Sequence, residues 1–189
     1  FKGKVYRLAE LVLDVPSLIQ RLSQLAGDSL GAATQIEPLH TGSELAGLVI
    51  DGTPVHAQRI VLSAGAGNAG LLKALGLAQP AQQLRPLHMV LAKGPALKPL
   101  YAHCLGGGTK PRVTVTSHPA ADGQWVWYLG GDLAEADGVA RDAARQITAA
   151  QLEMADLLPW VDQSQTRWAT LRVDRAEPAQ SGLVRPDNA

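Results

Sequence analysis

The chain has 189 residues, enough for one ordinary domain or for one domain and part of a second. Its 17 basic and 17 acidic residues balance, so charge gives no reason to expect nucleic acid or an acidic membrane surface as a partner. Cys104 is the single cysteine, which excludes an internal disulfide and a cysteine-based zinc site and fits a cytoplasmic, reducing compartment. No apolar run approaches the roughly 20 residues that a membrane span needs, so we expect no transmembrane segment.

The two ends of the sequence suggest a fragment of a longer protein. The chain begins at Phe1-Lys2-Gly3 without a signal-peptide pattern, and it stops at Pro186-Asp187-Asn188-Ala189 without a closing element.

The first predicted elements are a short strand and a helix. Leu11, Val12 and Leu13 form a brief apolar run that predicts a strand. Asp14 can cap the helix that follows, because apolar residues then recur at helical spacing until Gly27.

Short strands follow, separated by turn-forming residues. The pattern predicts strands over residues 34–40, 45–50 and 55–62, and the continuous apolar run at 60–62 is typical of a buried strand.

A glycine-rich turn, Ser63-Ala64-Gly65-Ala66-Gly67, comes next and precedes a helical segment at 71–75. Glycines in such a turn allow a ligand to approach the backbone closely. The alternative is a tight turn without a ligand, which the residues alone favour somewhat, because no complete GxGxxG pattern is present.

The second half predicts an α+β layer, a mostly antiparallel sheet covered by one long helix. The helix is predicted at 139–158, ended by Pro159. The strands are predicted at 84–92, 101–105, 111–117, 124–130 and 167–175.

Three polar side chains are candidates for function in this half. His88 lies inside an apolar strand, where a packed histidine is the more common case than a catalytic base. Arg172 and Arg175 lie near a strand end, where a guanidinium can grip a carboxylate or phosphate or can form a structural ion pair. No histidines have the spacing of metal ligands, so we predict no metal site.

The segments in this order resemble the flavin-dependent oxidoreductases of the D-amino-acid oxidase and glycerol-3-phosphate dehydrogenase family. The resemblance covers nearly the whole chain and rests on order and spacing. The matching segments are Ile60–Gly67, Leu84–Leu91, Val113–Thr116, Asp122-Gly123, Tyr128–Gly131 with Glu135, Leu157-Leu158-Pro159 and Trp168–Arg172.

The resemblance implies FAD as the cofactor and a small amine or hydroxyl substrate that is oxidised by hydride transfer to the flavin. It implies a partial FAD-binding segment at residues 1–80, a substrate-binding domain at 81–178 and a return segment at 179–189. The missing nucleotide-binding unit implies that the fragment alone has little activity and weak flavin affinity. The resemblance leaves open whether the complete protein contacts a membrane surface or an electron acceptor.

The resemblance also implies roles for individual residues. Arg172 would grip the anionic group of the substrate, and His88 would act as the base or orient a hydroxyl. The open side of the sheet would present both groups toward the flavin, and the redox hypothesis depends on this geometry. The cofactor would lie near four residues of the glycine-rich turn, namely Ala64, Gly65, Ala66 and Gly67.

Two alternatives remain open on the sequence. One is a non-catalytic α+β binding domain, which is favoured if His88 and Arg172 lie on opposite faces of the sheet. The other is a flavin monooxygenase of similar architecture, which the coarse pattern separates poorly from the main hypothesis.

Overall fold

The computed structural model describes residues 4–108 and 110–179, and it divides into two compact units. The three-stranded unit contains Leu13–Leu84 with residues 176–179, and the five-stranded unit contains residues 4–12 with Arg85–Arg175. The boundaries expected after residues 80 and 178 stay predictions, and nearly all of the expected return segment at 179–189 lies outside the described residues.

The three-stranded unit begins with helix α1, Val15–Ala26. The Asp14 carboxylate caps it by accepting hydrogen bonds from the Ser17 amide at 3.3 Å and the Ser17 hydroxyl at 2.6 Å. Gly27, with φ of 50°, ends the helix. The predicted helix is therefore confirmed, whereas the predicted strand at 11–13 is wrong, because those residues form no regular structure.

Three short strands follow in the order β1-β2-β3, with antiparallel pairing: β1 is Ile36–Thr41, β2 is Glu44–Ile50 and β3 is Thr53–His56. At Gly47 on β2, a Cβ would collide with the Val55 carbonyl oxygen, so this pairing requires glycine. The buried strand predicted at 60–62 is wrong. That run has no strand partner among the described residues, and Val61 is 86% exposed.

A 3₁₀ turn at Gly65–Gly67 leads into helix α2, Asn68–Ala74, as the helical pattern predicted. Gly76, with φ of 70°, ends this segment.

The five-stranded unit is built on a sheet with the strand order β5-β6-β7-β4-β8. Pairing is antiparallel between β5 and β6, β6 and β7, and β7 and β4, which confirms the expected α+β class with antiparallel pairing. The strands are β4 at Gln82–Lys93, β5 at Ala102–Leu105, β6 at Pro111–Pro119, β7 at Trp125–Gly130 and β8 at Arg167–Pro178.

The helical layer on this sheet is not the single long helix that the sequence predicted. It contains a 3₁₀ turn at Gly131–Ala134, helix α3 at Ala136–Ala140 and helix α4 at Ala143–Leu157. The break has a local cause: Arg141 is extended, and the Asp142 carboxylate accepts a hydrogen bond from the Arg145 amide at 2.8 Å, so a new helix begins there.

The core lies between one face of this sheet and the helices. Alternate residues of β4, β6 and β7 meet residues of α4 there, and Trp127 donates its indole N–H to the Lys98 carbonyl at 2.7 Å. The core cluster consists of Val90, Ala92, Leu97, Val113, Val115, Trp127, Leu129, Leu133, Ala150, Met154 and Leu158.

Candidate functional site

Side-chain alternation gives the five-stranded sheet two chemically different faces. Val113 and Val115 on β6 are buried against the helices, and Thr114 between them points to the opposite side. We call the side with the valines the helix face and the other side the open face. A functional side chain must lie on the open face to reach a ligand bound there.

His88 lies on the helix face of β4 and is 1% exposed. Its Nδ1 atom is 2.9 Å from the Gly138 carbonyl oxygen, and its own carbonyl accepts a hydrogen bond from Gln146 Nε2 at 2.7 Å. This is the environment of a packed, hydrogen-bonded histidine.

Arg172 also points to the helix face, because every second residue of β8 lies on one face and Trp168, on the same face as Thr170 and Arg172, packs against the core. Its guanidinium donates hydrogen bonds to the carbonyl oxygens of Val139 at 3.0 Å and Arg141 at 2.7 Å. The side chain is exposed, but two of its donors hold the junction between α3 and α4.

The structure thus brings His88 and Arg172 to one short segment, residues 138–141, but on the side opposite to the expected one. The expectation that the open side presents both groups is corrected here, because strand alternation turns both toward the helices. The two side chains share one face, so the opposite-face geometry that would favour a non-catalytic domain is not met. Both are turned away from the open side, however, so the redox hypothesis loses the geometric support that it drew from these two residues. Their roles toward substrate stay predictions, and the contacts that the structure gives them are structural.

Gln146 completes this arrangement, and the sequence analysis did not single it out. Its side chain is 0% exposed, donates to the His88 and Leu133 carbonyls, and accepts a hydrogen bond from Arg141 at 3.1 Å. A buried amide with three partners fixes the α4 helix to the sheet.

The open face carries hydroxyl, phenol and imidazole groups in neighbouring rows. Register pairs His103 with Thr114 and Thr116 with Tyr128. The rings of His118 and Tyr128 lie edge to face, with centroids 4.6 Å apart. These groups can donate and accept hydrogen bonds, so this face is equipped to bind a small polar molecule. Among these residues, Thr114 and Thr116 could have been assigned to one face from the period-two pattern of 113–117.

Gly130, the last residue of β7, lies beneath the side chains of Thr114 and Met89 on the open face. It lies opposite Thr114, and a Cβ at this position would come within 2.9 Å of Thr114 Oγ1 and 3.3 Å of Met89 Cε. Any larger residue would therefore push these two side chains apart. Glycine inside a strand is typical of a place where other atoms approach closely.

Glu135 anchors an ion-pair cluster beside the end of β7. Its carboxylate is 2.9 Å from Arg85 Nη1 and 2.7 Å from Lys110 Nζ. The Glu135 side chain is only 24% exposed, so its two ion pairs are partly shielded from solvent.

The glycine-rich turn is held by its own side-chain contacts. Asn68 accepts a hydrogen bond from the Ala64 amide at 2.8 Å, and Gln82 donates to the Gly65 carbonyl at 2.8 Å. Gly65 has φ of 55°, and no atom lies within 4 Å of the place where its Cβ would be. The turn is thus pre-formed and open on one side, which fits a close contact with a cofactor.

Neither a metal-ion cluster nor a membrane-spanning helix is found in the described residues. Among them, no three histidine, cysteine or acidic side chains are grouped closely enough to hold a metal ion. Within residues 4–108 and 110–179, none of the helices has the length and apolar character to cross a bilayer.

Comparison with known proteins gives one consistent result. No protein-family model matches the chain. A curated protein of Pseudomonas aeruginosa, "Probable FAD-dependent oxidoreductase PA4991", is 69% identical over all 189 residues, which are 48% of its length. A solved crystal structure of the FAD dependent oxidoreductase PA4991 matches with a TM-score of 0.92 over 99% of this chain and 52% of that one. The chain therefore spans about half the length of the relative that it matches.

Proposed function

We propose that this chain is part of an FAD-dependent oxidoreductase of the D-amino-acid oxidase and glycerol-3-phosphate dehydrogenase type, and that residues 81–178 form its substrate-binding domain. The observation that carries the proposal is the 69% identity over the whole chain to a protein named as an FAD-dependent oxidoreductase, together with the matching fold. FAD is the cofactor that we propose for the complete polypeptide, because the name of this relative gives FAD as its cofactor.

The proposed substrate is a small molecule with an amine or hydroxyl group, such as an amino acid, a 2-hydroxy acid or a glycerol-3-phosphate-like compound. The chemistry that FAD supplies is acceptance of two electrons, as a hydride, from the substrate carbon. The protein's part is to bind and orient the substrate, and the open face offers groups suited to that task. Thr114, Thr116 and Tyr128 can hydrogen-bond an amine, a hydroxyl or a carboxylate.

The residues proposed to contact the cofactor are Ala64, Gly65, Ala66 and Gly67. The positive φ of 55° at Gly65 supports this, since a turn that favours glycine leaves a backbone that a ligand can approach closely. The turn supplies only a small surface, and no glycine-rich dinucleotide motif accompanies it. We therefore expect the 189-residue chain alone to bind FAD weakly and to have little activity.

For His88 and Arg172 we propose a positioning role. Both side chains bind carbonyls of residues 138–141, so they fix the helical layer against β4 and β8. The shape of the open face then depends on them indirectly, through the strands to which they belong. Replacement of either residue should lower stability along with any catalytic effect.

The proposal is tested on the complete polypeptide that carries this chain. It is purified, its flavin absorbance is recorded, and it is mixed without oxygen with amino acids, 2-hydroxy acids and glycerol 3-phosphate in separate samples. Loss of the oxidised flavin spectrum with one of these classes is the expected result. A polypeptide that binds no flavin would overturn the proposal.

The role of the open face is tested with isosteric variants of the same polypeptide. Thr114→Val and Thr116→Val each remove one hydroxyl from this face and keep the strand preference. Thr148→Val removes a hydroxyl from the exposed side of α4 and is the matched control. We expect kcat/KM to fall by up to about tenfold for an open-face variant whose hydroxyl contacts substrate, the value of one hydrogen bond. If all three variants had the same kcat/KM, the open face would not be the substrate-binding surface.

A further inference from the structure

The open face of the five-stranded sheet has a polar half and an apolar half. Strand register defines one row of residues across it, from His103 on β5 to Thr114 on β6 and Gly130 on β7. Met89 on β4 continues this row, since its Cε atom is 3.3 Å from the place where a Cβ of Gly130 would be. The row therefore begins with an imidazole and a hydroxyl and ends with a thioether.

The next row is divided in the same way. Register places Tyr128 on β7 between Thr116 on β6 and Leu91 on β4. Tyr128 forms the boundary, because its ring is apolar and its hydroxyl is polar. Both rows thus change from hydrogen-bonding side chains on β6 to apolar side chains on β4.

The apolar half extends from β4 to its neighbour β8. Alternation places Leu171 and Val173 on the open face, since Arg172 between them points to the helices. These two side chains are 40% and 37% exposed, and Leu87 lies on the same side of β4 as Met89. A surface on which apolar side chains adjoin a few polar groups is typical of a site for a small organic molecule.

The width of the pattern limits the size of the molecule that can use both halves. Adjacent strands are about 4.8 Å apart, so β4 lies about 10 Å and β8 about 14 Å from β6. A molecule of two or three carbons that is bound at the hydroxyls of β6 does not reach the apolar half. A molecule with a side chain of several carbons reaches it.

The charges of this face do not favour a phosphate group. Arg85 and Lys93 lie near the two ends of β4, and their side chains are 2.9 Å from Glu135 and 2.7 Å from Asp122, so each is already held by a carboxylate. The two rows described above contain no lysine or arginine. Phosphate recognition relies on these two residue types, and a glycerol-3-phosphate-like molecule has no apolar part to cover β4 and β8.

We propose that the open face selects an amphipathic substrate, an amino acid or 2-hydroxy acid with an apolar side chain of several carbons. Its polar groups bind the hydroxyls of Thr114, Thr116 and Tyr128, and its side chain lies on Leu91 and Leu171. The inference rests on the substrate-binding role proposed above for this face, and it narrows the three substrate classes named there.

The test is calorimetric titration of the complete polypeptide with straight-chain carboxylates. Propionate, butyrate, pentanoate and hexanoate lack the amine or hydroxyl that would be oxidised, so Kd is measured without turnover. We expect Kd to fall by about fourfold for each added methylene, which is the value of one buried CH₂ group. Glycerol 3-phosphate, titrated in the same way, should bind more weakly than hexanoate.

Two variants introduce a polar group into the apolar half. Leu91→Thr changes the row of Tyr128, and Leu171→Thr changes an exposed position of β8; threonine keeps the strand preference in both. Leu152→Thr on α4 is the control, because Leu152 is 68% exposed and lies outside the sheet. The gain in affinity from propionate to hexanoate should shrink by about fourfold or more in the two open-face variants and stay unchanged in the control. If Leu91→Thr does not fold, Leu171→Thr decides the matter.

A Kd that does not vary with chain length would overturn the proposal, as would tighter binding of glycerol 3-phosphate than of hexanoate. An equal effect of Leu171→Thr and Leu152→Thr would overturn it too. The proposed redox function is decided separately, by the flavin spectrum. A polypeptide that shows the chain-length dependence but binds no flavin would retain this inference and lose the redox function, whereas flavin reduction without chain-length dependence would do the reverse.

Discussion

The two units of the chain differ sharply in what they bury. The five-stranded unit contains all twelve buried hydrophobic residues found in the described part of the chain, from Val90 to Leu158. The three-stranded unit has α1, α2 and a well-paired sheet, but its apolar side chains stay at the surface. Regular secondary structure is thus present in both units, while a hydrophobic core is present in one. The difference teaches that hydrogen-bonded elements alone do not make a self-sufficient domain.

The largest expected consequence is a difference in amide exchange between two helices of the 189-residue chain. Helix α4 buries Gln146, Ala150 and Met154, whereas α1 buries no residue. Amides of α1 should therefore exchange at rates close to those of an unfolded peptide. Amides of α4 should exchange more slowly, by several orders of magnitude. Hydrogen–deuterium exchange with mass spectrometry measures both helices in one sample. Comparable protection of the α1 and α4 amides would contradict the conclusion that only the five-stranded unit has a hydrophobic core.

The second largest effect is expected when a core side chain of the five-stranded unit is removed. Met154→Ala should lower the free energy of unfolding by about 2–5 kcal/mol, because Met154 is 1% exposed and its removal leaves a cavity. Urea unfolding followed by tryptophan fluorescence measures this unit selectively, since all four tryptophans lie at residues 125, 127, 160 and 168.

Leu152→Ala on the same helix is the control for that measurement. Leu152 is 68% exposed, so its replacement should change the free energy of unfolding by less than about 0.5 kcal/mol. If Met154→Ala and Leu152→Ala lowered the free energy of unfolding by similar amounts, Met154 would not be part of the hydrophobic core.

A smaller effect is expected at the polar contacts that join the sheet to the helices. His88→Leu removes the partner of the buried Gly138 carbonyl, which should lower the free energy of unfolding by about 1–3 kcal/mol. The same urea experiment measures it, and kcat of the complete polypeptide is recorded in parallel. If kcat fell strongly while stability stayed unchanged, His88 would be a catalytic residue and the positioning role would be wrong.

Local sequence rules predicted much of the fold because the deciding contacts are local. Asp14 caps α1 through Ser17, three residues away, and the hairpin of β6 and β7 follows from alternation and a glycine turn. The failed predictions depended on distant contacts. The apolar run 60–62 looks like a buried strand, but no neighbouring strand pairs with it among the described residues.

The candidate site was predicted less well, for a reason that lies in strand geometry. His88 was identified as an unusual polar residue in an apolar strand, but its direction depends on which face of the sheet the helices cover. That choice is fixed by Val90, Ala92 and their contacts with α4, far along the chain. The threonines of the open face looked ordinary in the sequence, and only the register of β6 with β7 brings Thr116 beside Tyr128.

The smallest expected effect concerns a surface carboxylate in the three-stranded unit. Hydrogen bonds from the Thr34 hydroxyl at 2.6 Å and the Gln35 amide at 2.7 Å lower the pKa of Asp51 below its usual range. A lowered pKa in the folded state means that the carboxylate stabilises the hairpin at neutral pH, and that this contribution is lost as the pH falls through the folded-state pKa.

Asp51→Asn should therefore speed amide exchange in β1 and β2 of the complete polypeptide at neutral pH. The variant keeps a side chain that tolerates the positive φ of 48° at this turn, so the change removes the charge and one acceptor oxygen without straining the backbone. The difference from the wild type should shrink in acid, because the wild-type carboxylate then becomes protonated too. Glu44→Gln removes a charge from the same hairpin, at a side chain without a hydrogen-bonded role like that of Asp51, and should leave exchange nearly unchanged. If Asp51→Asn and Glu44→Gln behaved alike at neutral pH, the hydrogen bonds of Asp51 would not stabilise this hairpin.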